Sequence, residues 1–217
     1  MHVLAVPVKP LDRAKRRLSP VLSPEERARL TVAMLEDVLD AAEAQSGWDV
    51  WVVSGSREVV DVARGSGARP VRDTAGSLRG ALREVEAEIA ATRPGSALAV
   101  VLADLPRISA RALATALDVG GAVVAAPAAS DGGTNVLVRR PASVIPSRFG
   151  RSSFDRHRAE SYRAGVTFRD VRVPELTFDL DTPADLAHLL AGPPVGRAFA
   201  LCSELGVADR LAAHASG

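Results

Sequence analysis

The sequence predicts an α/β protein built on one mostly parallel sheet that is covered by helices. Short runs of apolar and β-branched residues alternate along the chain with longer segments of helical periodicity, which is the pattern of such sheets. The 217 residues have the length of one well-buried domain, and no repeat or linker divides them. We therefore expect a single domain over residues 1–217.

The strands are predicted from short apolar runs. These runs cover residues 3–8, 50–54, 69–72, 97–103, 122–126, 134–138 and 167–171. The strands of a parallel sheet end at one edge, where α/β proteins bind their ligands. Polar residues directly after a strand are therefore the first candidates for a functional site.

The helices are predicted from apolar spacing and from capping residues. The helix predicted over residues 23–44 opens with Ser-Pro-Glu-Glu, which supplies an N-cap, a proline at the first helical position and acids near the positive end of the dipole. Further helices are predicted over residues 57–64, 77–91, 109–117 and 182–190. After a Gly-Pro-Pro-Val-Gly break, one C-terminal helix is expected from about 197 to 214, packed on the domain.

The composition excludes several classes of protein. Hydrophobic residues make up 47% of the chain and charged residues 24%, as in ordinary globular proteins. The net charge of +1 gives no support for a nucleic-acid or membrane-surface partner. The chain has neither the features of a signal peptide nor an apolar run of the roughly 20 residues that a membrane helix needs. Because Cys202 is the one cysteine, no intrachain disulfide can form, and we expect a cytoplasmic protein.

A basic loop follows the first predicted strand. Five cationic side chains fall within residues 9–17, at the edge where a phosphate chain would be received. Lys9 and Lys15 are the preferred phosphate contacts. The alternative is a solvated charged loop without a ligand.

Asp104 ends a long apolar strand and is followed closely by Pro106. A carboxylate in that position can hold a divalent cation through oxygen. One alternative is a cap on the helix that begins near Ser109, although Asp104 lies far upstream of it. The other alternative is a plain surface turn.

Two more aspartates, Asp179 and Asp181, alternate with apolar residues, so an extended backbone points both carboxylates to one face. A bound cation would relieve their mutual repulsion. For Asp181, a capping role competes with the metal role. Thr182 is predicted to cap the helix that follows, and Asp185 is expected to have a structural role in its first turn.

Two further loops are candidates for anion binding. Paired glycines precede Thr134 and would let backbone amides approach an anion, although a hairpin turn needs the same glycines. The second loop runs from Gly150 to Ser153 before a predicted helix, whose free N–H groups would attract a phosphate or carboxylate. Its alternative is a capped helix start with Ser152 or Ser153 as the cap.

The motifs of these segments occur together in one order. They are Val-Pro-Val-Lys-Pro with Ala-Lys-x-Arg-Leu, Ala-Asp-Leu-Pro, Gly-Thr-Asn, Phe-Gly-x-x-Ser-Phe-x-x-His and Asp-Leu-Asp-Thr-Pro-x-Asp-Leu. Over roughly residues 3–190, the sequence resembles the 2-phospho-L-lactate or phosphoenolpyruvate guanylyltransferases of coenzyme F420 biosynthesis. The resemblance implies a Rossmann-like nucleotidyltransferase fold, akin to that of molybdopterin guanylyltransferases. It also implies a reaction that joins GMP from GTP to a small phosphorylated acid and releases pyrophosphate.

The resemblance also implies a role for individual residues. Those implied to bind the phosphorylated acid are Thr134, Gly150 and Ser153. Those implied to hold Mg2+ are Asp104, Asp179 and Asp181. The GTP phosphates would be received by Lys9, Arg13 and Lys15, and the catalytic candidates are Lys9, Lys15 and Asp104.

Several points stay open at this level. The acceptor is phosphoenolpyruvate or 2-phospho-L-lactate, with phosphoenolpyruvate favoured. Arg79 stands where the family usually has an asparagine, so the guanine contacts are not assigned. The alternatives are a nucleotidyltransferase of the same fold that acts on a sugar phosphate or molybdopterin, and a non-catalytic nucleotide-binding module. A homodimer is also compatible with the sequence.

Overall fold

The computed structural model describes residues 1–215, so residues 216 and 217 of the predicted domain lie outside the described residues. Its strands are β1 (His2–Pro7), β2 (Trp48–Ser54), β3 (Arg69–Arg72), β4 (Leu98–Val101), β5 (Val123–Pro127), β6 (Thr134–Arg139) and β7 (Phe168–Asp170). Its helices are α1 (Pro24–Glu43), α2 (Arg57–Ser66), α3 (Leu78–Thr92), α4 (Ala110–Asp118), α5 (Ser153–Arg163), α6 (Pro174–Thr177), α7 (Pro183–Leu190), α8 (Gly196–Glu204) and α9 (Val207–Ala215). Within residues 1–215, no helix is both long enough and apolar enough to span a membrane.

The strands form one sheet in the order β3-β2-β1-β4-β6-β5-β7. Strand β6 runs antiparallel to both of its neighbours, and all other recorded pairs are parallel. The predicted mixed, mostly parallel sheet is therefore confirmed. Because β6 is reversed, its first residues lie at the same edge as the last residues of β1 and β4. That edge collects most of the polar residues that the sequence singled out.

Helices cover both faces of the sheet, as predicted. Leu4 and Val6 of β1 point into a core with α1, whereas Val3 and Ala5 point into a second core with α3. Strand β1 is apolar on both faces because each face is covered, as expected for a central parallel strand. Helix α1 begins with the predicted cap, since Ser23 and Glu26 form a reciprocal capping box.

The C-terminal segment differs from the prediction of one helix over about 197–214. It forms two helices, α8 and α9, because the chain turns between them at Gly206, whose φ of +62° favours glycine. Helix α8 is fixed to the domain by the buried carboxylate of Asp37. Its Oδ2 accepts the backbone N–H groups of Arg197 at 2.8 Å and of Ala198 at 3.4 Å.

Candidate active site

A cavity of about 750 Å³ opens at the carboxyl ends of β1, β3 and β4. The basic loop after β1 contributes Lys9, Arg13 and Lys15 to its wall. Asp104, in the segment after β4, also lines the cavity, as does Asp181, which directly precedes the cap of α7. Three segments that are far apart in the sequence therefore meet at one place, on the edge where α/β sheets bind ligands.

Lys15 is the centre of this cluster. Its ammonium lies 3.0 Å from Asp104 Oδ2 and 2.8 Å from Asp181 Oδ1, and only 8% of its side chain is exposed. Burial alone would lower the pKa of Lys15, but the two carboxylates outweigh it and hold that pKa above its ordinary value. The backbone of Lys15 has a φ of +49°, an uncommon conformation for a residue with a side chain, between two short 3-10 turns.

Asp179 is the third of the aspartates predicted to hold a metal ion. Its Oδ2 accepts a hydrogen bond from Ser130 Oγ at 2.9 Å, and the neighbouring amide of Leu180 donates to the carbonyl of Asp104 at 3.1 Å. Burial raises the pKa of the Asp179 carboxyl, and the negative charges of Asp104 and Asp181 raise it further. Two carboxylate oxygens, Asp104 Oδ1 and Asp179 Oδ1, are buried with no hydrogen-bond partner among the described residues.

These orphaned oxygens test whether the site fits a metal ion. In residues 1–215, no three His, Cys, Asp or Glu side chains form a group that could hold a metal. Mg2+, however, is commonly held by one or two carboxylates and completed by water and substrate phosphates. Asp104 and Asp179 supply two such oxygens without partners, so the residues present fit that kind of site. The Mg2+ ion itself stays a prediction.

Asp181 and Asp185 have separate roles at the start of α7. Asp185 Oδ2 accepts the backbone N–H groups of Asp181 and Thr182, while Thr182 Oγ1 accepts the N–H of Asp185. The structural role predicted for Asp185 and the cap predicted for Thr182 are confirmed. The side chain of Asp181 is bonded to Lys15 instead of capping the helix. Burial alone would raise the pKa of Asp181, but the Lys15 ammonium holds it below its ordinary value.

The predicted acceptor residues lie together at the sheet edge where β4 ends, but outside the lining of the large cavity. Ser153 Oγ donates to Thr134 Oγ1 at 2.9 Å, and the Ser153 amide donates to the carbonyl of Gly150 at 3.0 Å. Pairing of β6 with β4 continues beyond Val101, since the Leu102 amide donates to the Asn135 carbonyl. Thr134 and Ser153 are 2% and 0% exposed, so both hydroxyls are covered by protein. Their substrate-binding role stays a prediction.

The loop before α5 lacks the side-chain cap that was the alternative to anion binding there. Ser152 occupies the N-cap position with a φ of +55°, but its side chain makes no capping hydrogen bond. The paired glycines instead hold the start of this helix, because the Phe154 amide donates to the carbonyl of Gly132 at 3.2 Å. The glycine turn and the helix start are therefore one unit of structure.

The sequence motifs contained His157 but gave it no role. Its ring is fully buried, and the Arg148 backbone N–H donates to its Nε2 at 2.8 Å. Nε2 is therefore unprotonated, so Nδ1 carries the hydrogen and donates to Thr134 Oγ1 at 3.1 Å. Burial lowers the pKa of His157 to about 3, with the nearby Arg139 charge adding to the effect.

Because of His157, the free energy of unfolding should fall in mild acid. Its folded pKa of about 3 lies below the ordinary 6.5, so its stabilising effect is complete above pH 6.5 and is lost as the pH falls from 6.5 toward 3. The free energy of unfolding should then fall by up to about 1.4 kcal/mol per pH unit in that window. Denaturant unfolding between pH 7.5 and 5 measures this. A His157→Asn variant should be less stable at pH 7.5 but have a shallower slope, and equal slopes would refute the assignment.

Comparison with known proteins gives the site its context. A family model described as "Guanylyl transferase CofC like" matches residues 1–194. The chain belongs to the CofC-like guanylyl transferases. It is therefore an enzyme of the nucleotidyltransferase class, in agreement with the resemblance of its motifs.

Relatives within and beyond the family agree with this assignment. A phosphoenolpyruvate guanylyltransferase of Sphaerobacter thermophilus is 40% identical over 198 residues, covering 89% of this chain and 95% of the relative. A 3-phospho-D-glycerate guanylyltransferase of Phenylobacterium zucineum is 34% identical, covering 88% of this chain and 91% of the relative. A solved structure from Desulfovibrio desulfuricans G20, described as a nucleotide-diphospho-sugar transferase, covers 99% of both chains with a TM-score of 0.79 at 17% identity. A nucleotidyl transferase from Methanothermobacter has a TM-score of 0.58 at 16% identity, covering 87% of this chain and 95% of that chain. The two structures support the predicted nucleotidyltransferase fold of this CofC-like chain.

Proposed function

We propose that this CofC-like chain transfers GMP from GTP to phosphoenolpyruvate and releases pyrophosphate. The observation that carries the proposal is the meeting of Lys15 with Asp104 and Asp181 in the wall of a cavity large enough for a nucleotide. A phosphoryl-transfer site needs cations for the phosphates and carboxylates for a hard cation, and this cluster supplies both. Coenzyme F420 biosynthesis is the pathway that the family implies for this reaction.

The reaction requires no general base. A phosphate oxygen of the acid attacks the α-phosphorus of GTP, and a new P–O bond forms. The bond from the α-phosphorus to the bridging oxygen of the β-phosphate breaks, and pyrophosphate leaves with the electron pair. Among the described residues, no histidine or cysteine lines the cavity, in keeping with a nucleophile that is already anionic. Catalysis then rests on positioning and on stabilisation of charge.

Residues of the basic loop receive the triphosphate in this proposal. Lys9 and Arg13 are exposed at the cavity wall, and their charges lower the cost of bringing the anionic substrates together. Lys15 neutralises Asp104 and Asp181 and would turn toward the phosphates when GTP binds. Asp104 and Asp179 would hold Mg2+, and Asp181 would join them once Lys15 has turned toward the phosphates; the ion would supply further neutralisation of phosphate charge.

In this proposal the acceptor binds at the cluster formed by Thr134, Gly150 and Ser153. Thr134, Gly150 and Ser153 would contact the phosphorylated acid there, and the hydroxyls have to become accessible when it binds, because both are covered in the free chain. Phosphoenolpyruvate is preferred because it is the acceptor named for the Sphaerobacter relative. 2-Phospho-L-lactate and 3-phospho-D-glycerate are the competing acids. A cytoplasmic location and a homodimer also remain proposals.

Pyrophosphate release from GTP and Mg2+ tests the proposal. The three acids are supplied separately, and the expected result is release with phosphoenolpyruvate at the highest kcat/KM. Release with a different acid would correct the acceptor, and release with a sugar phosphate or molybdopterin would move the chain to another branch of the fold. If folded protein binds GTP but is inactive with every acceptor, a non-catalytic nucleotide-binding module is the remaining interpretation.

A further inference from the structure

The cavity extends well beyond the charged cluster. Its far end lies after β3 and at the start of α3, where it is lined by Asp73, Gly76, Ser77, Leu78 and Ala81. In the sheet, β3 is three strands away from β4, so the segment after β3 is about 14 Å from Asp104 at ordinary strand spacing. A nucleoside triphosphate whose phosphates lie at the basic loop would place its base at this far end.

Asp73 is the one ionisable side chain among these five far-end residues. Its Oδ1 accepts the backbone N–H groups of Ala75 at 2.9 Å and of Gly76 at 3.0 Å, which fixes the carboxylate in place. In the described part of the chain, its Oδ2 has no recorded hydrogen-bond partner. The half-buried carboxylate therefore has one oxygen committed to the turn and one available to a ligand in the cavity.

Guanine has the hydrogen-bonding groups that suit such an oxygen. Its N1–H and its exocyclic N2–H are adjacent donors, and a carboxylate is an acceptor only. Adenine lacks the N2 amino group and has an unprotonated N1, whose lone pair would face the carboxylate. At the start of α3 the Gly80 amide donates to Ser77 Oγ, but the amide of the cavity-lining Leu78 has no recorded acceptor among the described residues and is available for the guanine O6. We infer that Asp73 selects the guanine base through its Oδ2, an inference that rests on the proposed use of GTP.

Arg79 does not offer an equal alternative. It occupies the position at which the family usually has an asparagine, but its side chain is exposed and it is not among the residues that line the cavity. A residue that does not contact the cavity cannot read the base directly.

Replacing Asp73 with asparagine tests this inference with little disturbance of the turn. The amides of Ala75 and Gly76 require an acceptor, so they orient the new amide with its oxygen toward the turn and its NH2 group into the cavity. That NH2 group opposes both the N1–H and the N2–H of guanine, whereas it can donate to the O2 of xanthine and opposes only its N1–H. We expect kcat/KM for GTP to fall about 10- to 100-fold and the ratio of kcat/KM for XTP to that for GTP to rise by a similar factor. ITP, which lacks the 2-amino group, should be affected less than GTP.

Glu84→Gln is the matched control. The Glu84 carboxylate accepts hydrogen bonds from the amide and hydroxyl of Thr74 and so supports the same loop, but it is not among the cavity-lining residues. The Glu84→Gln variant should have the same ratio of kcat/KM for GTP to kcat/KM for XTP as the unaltered chain. An Asp73→Asn variant with normal thermal stability and an unchanged GTP to XTP ratio would overturn the inference.

Binding measurements separate this inference from the reaction itself. Affinities for GTP and XTP, measured by calorimetry without an acceptor, give the base preference even if no acid supports turnover. An inactive chain that prefers GTP, with the preference reversed in Asp73→Asn, would refute the proposed reaction and support the assignment of Asp73. An active chain whose preference for GTP over XTP is the same with and without Asp73→Asn would support the proposed reaction and refute the assignment of Asp73.

Discussion

Replacing Asp104 with asparagine is expected to lower kcat for pyrophosphate release by about 10²–10³. The carboxylate contacts Lys15 through Oδ2 and presents its orphaned Oδ1 for a cation, whereas the amide has lost the charge that both contacts use. Stability should change much less, because Lys15 keeps Asp181 as its partner at 2.8 Å. Steady-state kinetics at saturating GTP and thermal unfolding of the same preparation measure the two effects.

Asp118→Asn is the control for this variant, because Asp118 is an exposed residue at the end of α4. It should leave both kcat and the melting temperature as they are. A folded Asp104→Asn enzyme with unaltered kcat would remove Asp104 from the catalytic group and leave the metal assignment without its central ligand.

The position of the site was predictable because it depends on strand ends. Asp104 follows an apolar run and Lys9 follows another, and the rule that parallel strands end at one edge was enough to place them together. The separation of Asp185 from Asp181 was also predictable in part, since Thr182-Pro183 is a strong helix-start signal. These inferences use only local sequence and one rule of topology.

Other features depend on contacts that local sequence does not encode. The apolar run that forms β6 has the same appearance in either direction, so its antiparallel pairing follows only from the completed sheet. The bond of Lys15 with Asp104 and Asp181 joins residues 89 and 166 positions apart. The buried state of His157 likewise arises because α5 packs its ring against Thr134. Gly206 was the one local signal that the C-terminal segment would form two helices, and the prediction of a single helix did not take it into account.

Replacing Lys15 with methionine should produce the largest combined change in activity and stability. The variant keeps the apolar length of the side chain but leaves Asp104 and Asp181 facing one another without the ammonium. We expect kcat to fall by about 10² or more, and the free energy of unfolding without metal to fall by about 2 kcal/mol. This value is lower than that for a fully buried pair, because 40% of the Asp181 side chain is exposed and water screens its charge.

The stability of this variant also tests the Mg2+ site without an activity measurement. If Lys15 supplies the positive charge that a cation would otherwise supply, MgCl2 should raise the melting temperature of Lys15→Met more than that of the unaltered chain. A Lys9→Met variant is the comparison, because it removes one charge from the same loop but none of the bonds to Asp104 and Asp181. An equal response to MgCl2 in all three proteins would mean that the carboxylates do not bind the ion, whereas a larger response in Lys15→Met alone requires that they do.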